Sequence, residues 1–159
     1  MQNQIPGFVD WCQKLPLAEA IRSVKWPYPS IESLHLAGLV IVFGSILIVN
    51  LRIFGLVLKQ TPISDVARGL ALLTFVGLGV QAVSGPLLFI SNATKFYASD
   101  QFRLKLLLLA IALTYHFAIH RPATLTADSS TAKLRVSAAL SMVLWVSVFL
   151  SGMFIELLA

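Results

Sequence analysis

The stretch Ile31–Leu58, reading IESLHLAGLVIVFGSILIVNLRIFGLVL, decides what kind of protein this is. Glu32 and Arg52 are the only acidic and basic residues in it. It exceeds the roughly 20 apolar residues that cross a hydrocarbon core. Three further apolar blocks follow, at Val66–Ser91, Phe102–His120 and Val136–Leu158. They raise the hydrophobic share of the 159 residues to 57% and hold the charged share to 12%, against about 45–50% and 25% in soluble domains. In lipid every backbone N–H and C=O must be paired within the segment, so such blocks form helices. The ten-residue alternation of a transmembrane barrel is absent. Short connections between consecutive spans predict an all-α, up-down-up-down four-helix membrane bundle over residues 31–159. Residues 1–30 precede it, and no room is left for a separate soluble domain.

The formal charge of +5 does not indicate a nucleic-acid partner. The cations sit at helix ends, where they meet lipid headgroups, and no basic cluster is interleaved with exposed aromatics. One cysteine, Cys12, excludes an internal disulfide and any multi-cysteine metal centre in one chain. A secretory signal is not expected, because residues 1–30 hold Asp10, Glu19 and Lys25 and are broken by Pro6, Pro16, Pro27 and Pro29. The first apolar block is therefore read as a retained anchor.

Within the first segment, Phe8, Trp11, Cys12, Leu15, Ala18, Ile21 and Val24 follow helical spacing, with Asp10, Gln13, Lys14, Glu19 and Ser23 opposite. Pro16 divides it into two short pieces, the proline opening the second. Two placements suit it: an amphipathic helix in the membrane interface, or a flap packed on a partner subunit. Trp26-Pro27-Tyr28-Pro29 then turns the chain into the membrane, with Ser30 expected as N-cap of the first span. Ser64 or Asp65 is expected to cap the second, and Pro86 to kink or end it. The side bearing the N-terminus, side A, carries Lys14, Arg22, Lys25, Lys95, Arg103 and Lys105. Side B carries Arg52, Lys59, Arg68, Arg121, Lys133 and Arg135. Lys105 falls inside the third span, and several side-A cations have acidic neighbours. The balance turns side B to the cytoplasm and both termini outward.

Polar groups at membrane depth call for a partner or a function. Each span has one small or polar seam: Glu32, His35 and Asn50; Thr74, Gly77, Gln81 and Ser84-Gly85; Lys105, His116 and His120; Ser137, Ser141 and Ser151-Gly152. These seams are expected to meet inside the bundle, the hydroxyls and Gln81 as interhelical partners and Gly77, Gly79 and Gly85 as close-packing points. Glu32 and His35 lie three residues apart, the spacing of a di-metal bundle motif, but Glu156 at the end of the last span is the only other carboxylate that could join them. Histidines in such a bundle also suggest b-type haem. Depth decides against two axial ligands in one chain. His35 matches a residue near 105, so His116 lies some 11 residues deeper, about 17 Å at 1.5 Å per residue. His116 and His120, four apart on one helix, cannot sandwich a porphyrin and are read as interfacial. A single-ligand haem or chlorin, a haem shared between chains, or a surface metal remains. His35 is the candidate ligand, with Glu32 and Lys105 beside it. No nucleophile–base constellation, phosphate loop or metal-hydrolase motif is present, which weighs against hydrolytic chemistry.

The run Trp26-Pro27-Tyr28-Pro29-Ser30-Ile31-Glu32-Ser33-Leu34-His35-Leu36-Ala37-Gly38-Leu39 resembles the opening of a family of uncharacterised bacterial four-helix membrane proteins. Asn50-Leu51-Arg52-Ile53-Phe54-Gly55, Ser84-Gly85-Pro86-Leu87-Leu88-Phe89, Phe102-Arg103-Leu104-Lys105 and Phe117-Ala118-Ile119-His120-Arg121 resemble later segments of that family in the same order. Asn50 stands where the family carries Asp, and His116 where it carries Asn. The resemblance implies the bacterial inner membrane and supplies no activity. A looser likeness to copper-resistance membrane proteins and small membrane cytochromes implies, by analogy, Glu32, His35, Arg52, Lys105 and His120 as site positions.

Two functional classes follow. In one, the protein is a non-catalytic accessory subunit or scaffold of a larger, redox-associated membrane complex, surrounded by lipid and joined to other subunits or to copies of itself. In the other, it holds a b-type haem, another tetrapyrrole or a quinone near side A. His35 is then the metal ligand or hydrogen-bond donor, and Glu32, Lys105 and His120 are the further cofactor-binding positions. The first is favoured, because one chain cannot complete a bis-histidine haem site.

Overall fold

A computed structural model of the protein describes residues 7–127 and 130–158, with side chains as far as residue 153. Residues 1–6 of the N-terminal segment and the side chain of Glu156 lie outside the described residues. Among those described, the chain forms helices and no strands. They are α1 (Gly7–Gln13), α2 (Pro16–Ser23), α3 (Pro27–Ile53), α4 (Ile63–Ser91), α5 (Ala93–Ala98), α6 (Asp100–Leu125) and α7 (Ala132–Leu158). Four of them, α3, α4, α6 and α7, are long and apolar enough to cross a membrane. Their outward residues, among them Val40, Leu72, Val83, Leu107, Val136 and Val143, are exposed. A contiguous apolar exterior of this kind belongs in lipid. The chain is an integral membrane helical bundle.

The ends of the spans differ from expectation, for reasons of local hydrogen bonding. Pro27 opens α3 within its first turn, three residues ahead of Ser30, whose hydroxyl instead donates to the Trp26 carbonyl at 2.9 Å. At the other end α3 stops at Ile53 rather than Leu58. Gly55 takes φ +76°, its N–H bonds Arg52 O, and Leu56 N–H bonds Leu51 O. That is a Schellman close, which needs the left-handed conformation a glycine adopts without strain. Arg52 Nε then donates to Thr61 O at 2.7 Å, securing the connection. α4 begins at Ile63 with no side-chain cap from Ser64 or Asp65. The Ser64 backbone N–H is bonded by Ala127 O at 3.0 Å instead. α4 also continues past Pro86 to Ser91.

α3 and α4 pack most extensively. A side chain at Gly77 would meet Val42 Cγ2 at 2.7 Å and Gly38 O at 2.9 Å; one at Gly38 would meet Val80 Cγ1 at 2.7 Å. Without a hydrophobic driving force between helices in lipid, such close backbone approach supplies the van der Waals contact that holds a pair together. Gly79 meets nothing within 4 Å and is no packing point. α7 packs on α6 and on α3, closing the bundle around Val42, Ile46, Ala112, Trp145 and Val148. A second core of Val49, Ile53, Ile63, Val66, Leu134 and Ala138 closes side B.

Pro16 divides the N-terminal segment as expected, at the first turn of α2. The two short helices fold back on the side-A end of the bundle of their own chain. Val9 and Cys12 pack with Phe89, Ile90 and Ala93, while Ala18 and Ile21 are buried. Arg22 bridges Ser91 O and Gln13 O, and Thr94 bonds the Gln13 side chain. Phe8, Trp11, Leu17, Val24 and Trp26 remain exposed.

Candidate functional site

The side-A site is built where α3 crosses the end of α4. His35 Nδ1 lies 2.8 Å from Ser84 Oγ, and Ser84 Oγ donates to Val80 O at 2.6 Å. A hydroxyl has one proton. With it given to the carbonyl, Ser84 accepts from the imidazole, so His35 carries its proton on Nδ1 and presents a lone pair at Nε2. The His35 carbonyl accepts from Gln81 Nε2 at 2.6 Å, so both ends of the residue are fixed to α4. Glu32, one turn earlier, and Lys105, on α6, are half-buried, and neither is free of partners. Lys105 lies within electrostatic reach of His35. Its Nζ stands 3.3 Å from where a Cβ would sit on Gly152, so the missing side chain of that glycine admits the lysine to α7.

A second polar group lies toward side B, and a break in α6 creates it. Pro122 has no N–H, and its ring would collide with the carbonyl of Ala118 in a regular α-helix. The turn before it widens into a π-turn over His116–His120, with Arg121 N–H bonded to His116 O. His116 is 7% exposed and His120 1% exposed, so neither meets headgroups as expected of them. The widened turn sets their rings 5.9 Å apart between centroids and stands His116 edge-on to Trp145. His120 Nδ1 lies 3.1 Å from Ser137 Oγ, which is 2.9 Å from Tyr115 Oη. Asn50 Nδ2 reaches Ser141 Oγ at 3.4 Å, one turn further along α7. His116 Nδ1, His120 Nε2 and Asn50 Oδ1 are buried with no hydrogen-bond partner.

His35, Glu32 and Lys105 thus fall at one end of the bundle and His120 at the other. Lys105 touches α7 at Gly152 and His120 touches it at Ser137, some 22 Å apart at 1.5 Å per residue. His120 is therefore no part of a site centred on His35, and a haem ligated at His35 finds no second ligand in His116 or His120. A single axial bond to Nε2 does fit, since Ser84 fixes the opposite nitrogen as a supporting ligand sphere does. Among the described residues, no three His, Cys, Asp or Glu side chains gather around one metal position. Arg52 secures a loop rather than a site. Ser84 and Gln81 were legible as partners from their seam. Tyr115, Trp145 and the π-turn were not, although Pro122 was the signal that the preceding turn could not stay regular.

A family described as a family of unknown function (DUF6644) matches residues 26–158. No curated protein and no solved structure matches the chain, so the likeness to copper-resistance proteins and small membrane cytochromes is without support. The match covers the four spans and leaves out α1 and α2, and the chain belongs to this family.

Proposed function

We propose that this member of a family of unknown function is a small, non-catalytic subunit of a larger membrane assembly, held there by its outer helix faces and its N-terminal ledge. The observation that carries this reading is the two-sided build of α1 and α2. One face is locked to the bundle by Val9, Cys12, Ala18, Ile21 and Arg22, while Phe8, Trp11, Leu17, Val24 and Trp26 stay exposed. A rigidly held apolar ledge costs little ordering entropy when another surface covers it. The polar pairs at His35 support the same reading, because they join α3 to α4 as interhelical ties do. The reading sets the chain in the bacterial inner membrane with side B facing the cytoplasm. Native mass spectrometry of the protein purified in mild detergent tests it. Membrane partners at fixed stoichiometry, lost in Phe8→Ser/Trp11→Ser while helicity is unchanged, are expected. A monodisperse chain without partners sinks the reading.

A second reading rests on the lone pair at His35 Nε2, which suits one axial bond to a tetrapyrrole metal. It suits a quinone less, because the ring's one proton is held by Ser84. An oxidised and dithionite-reduced visible spectrum separates the two readings. A Soret band with sharp reduced bands, absent in His35→Ala, makes this a haem subunit with any second ligand on a partner. A featureless spectrum removes haem.

A further inference from the structure

We infer that the cavity between α3, α4 and the π-turn of α6 holds a water molecule shared by His116 and His120, a binding site separate from His35. The cavity has a volume of about 30 Å³, and both histidines line it. That matches the share of volume of one water in the liquid, and a buried water requires two to four polar partners. His116 Nδ1 and His120 Nε2 are the buried nitrogens that lack them. Each such group is costly to leave unmade.

The chemistry of the lining selects the occupant. Ser45, Thr74 and Thr124 also line the cavity, and each hydroxyl gives its proton to a carbonyl of its own helix: Ile41 O, Leu70 O and Arg121 O. What they can offer inward is oxygen lone pairs, which disfavours an anion. No carboxylate or thiol lines the cavity, and Arg121 stands at its rim with its guanidinium 5.4 Å above the Phe75 ring. That positive charge disfavours a cation. A neutral molecule that both donates and accepts, and is no larger than water, is left. Through His120 Nδ1 the water joins Ser137 and Tyr115 in one hydrogen-bonded chain from α4 to α7.

Water-selective proton NMR of the full chain in lipid nanodiscs, with labelled histidines, tests this. Cross-relaxation from a long-lived water is expected at the ring protons of both His116 and His120. His116→Phe should abolish it at His120, and His120→Phe should abolish it at His116, since the molecule is shared. Ala71→Met, which fills the cavity from the α4 wall without touching either ring, should abolish both while the His35 signals stay in place. Absence of cross-relaxation in the natural sequence overturns the inference. So does a water signal at His120 that survives both His116→Phe and Ala71→Met, or one equivalent of metal in elemental analysis.

Discussion

Ser84 illustrates how a single hydroxyl can decide the chemistry available to a neighbour. By donating to Val80 O and accepting from His35 Nδ1, it fixes both the ring and its tautomer. Removing it leaves Nδ1 free to exchange its proton with Nε2. We expect Ser84→Ala to lower stability in detergent by about 0.6 kcal/mol, and at most about 1.7 kcal/mol, the range for interhelical hydrogen bonds in membranes. The nitrogen-15 shifts of His35 should move together toward a tautomeric average; unchanged shifts would show that another group fixes the ring. If a haem is bound at His35, the same substitution should broaden or shift its Soret band. Asn50 makes the complementary point. It is fully buried with Oδ1 unpartnered, in a position where the family resemblance leads one to expect Asp. The amide avoids the cost of a buried charge that such a carboxylate would meet.

Among the elements, the α3–α4 pair carries the bundle. Its crossing tolerates no side chain at Gly77, where the obstruction includes the Gly38 carbonyl and the Val42 backbone nitrogen at 3.0 Å, neither of which can swing aside. Gly77→Ala should cost about 1–3 kcal/mol, the usual range for overpacking. Gly69→Ala and Gly79→Ala, on the same helix with nothing within 4 Å, should be neutral or stabilise by up to about 1 kcal/mol. Thermal unfolding of the three variants in one detergent checks the contrast. Equal effects would mean that helix propensity, not the crossing, sets the outcome. α6 shows why helical phase read from the sequence can fail. At 100° per residue Lys105, His116 and His120 share one face, but a π-turn inserts the equivalent of one residue and turns the remainder of the helix. Both histidines consequently reach the interior beside Trp145 and Ser137.

For the molecule as a whole, three tryptophans report on three environments. Trp145 is 2% exposed inside the bundle, whereas Trp11 is 58% and Trp26 73% exposed at side A. In single-tryptophan variants reconstituted in bilayers, lipids brominated near the headgroup should quench Trp11 and Trp26 strongly, and Trp145 should respond several-fold less. Aqueous iodide should also leave Trp145 unquenched. If Trp11 escapes the lipid quencher while Trp26 does not, the ledge of α1 is covered by protein rather than by headgroups. That outcome favours the docking reading over an interfacial one.

The amino-acid sequence by itself determined that four apolar helices lie in lipid, because a run of apolar residues of bilayer length admits no other saturated backbone. It also determined that Pro16 divides the N-terminal segment, and that Gln81, Ser84 and the serines of α7 face inward. It did not determine where the spans end, since Gly55 and Pro27 act through backbone hydrogen bonds that outweigh the apolar count. Only the tertiary structure decided which polar residues meet. His35 joins Ser84, and His120 joins Ser137 at the far end, because partnership across helices depends on depth, crossing point and phase together. A one-residue π insertion or a missing Cβ changes all three without altering the apolar pattern.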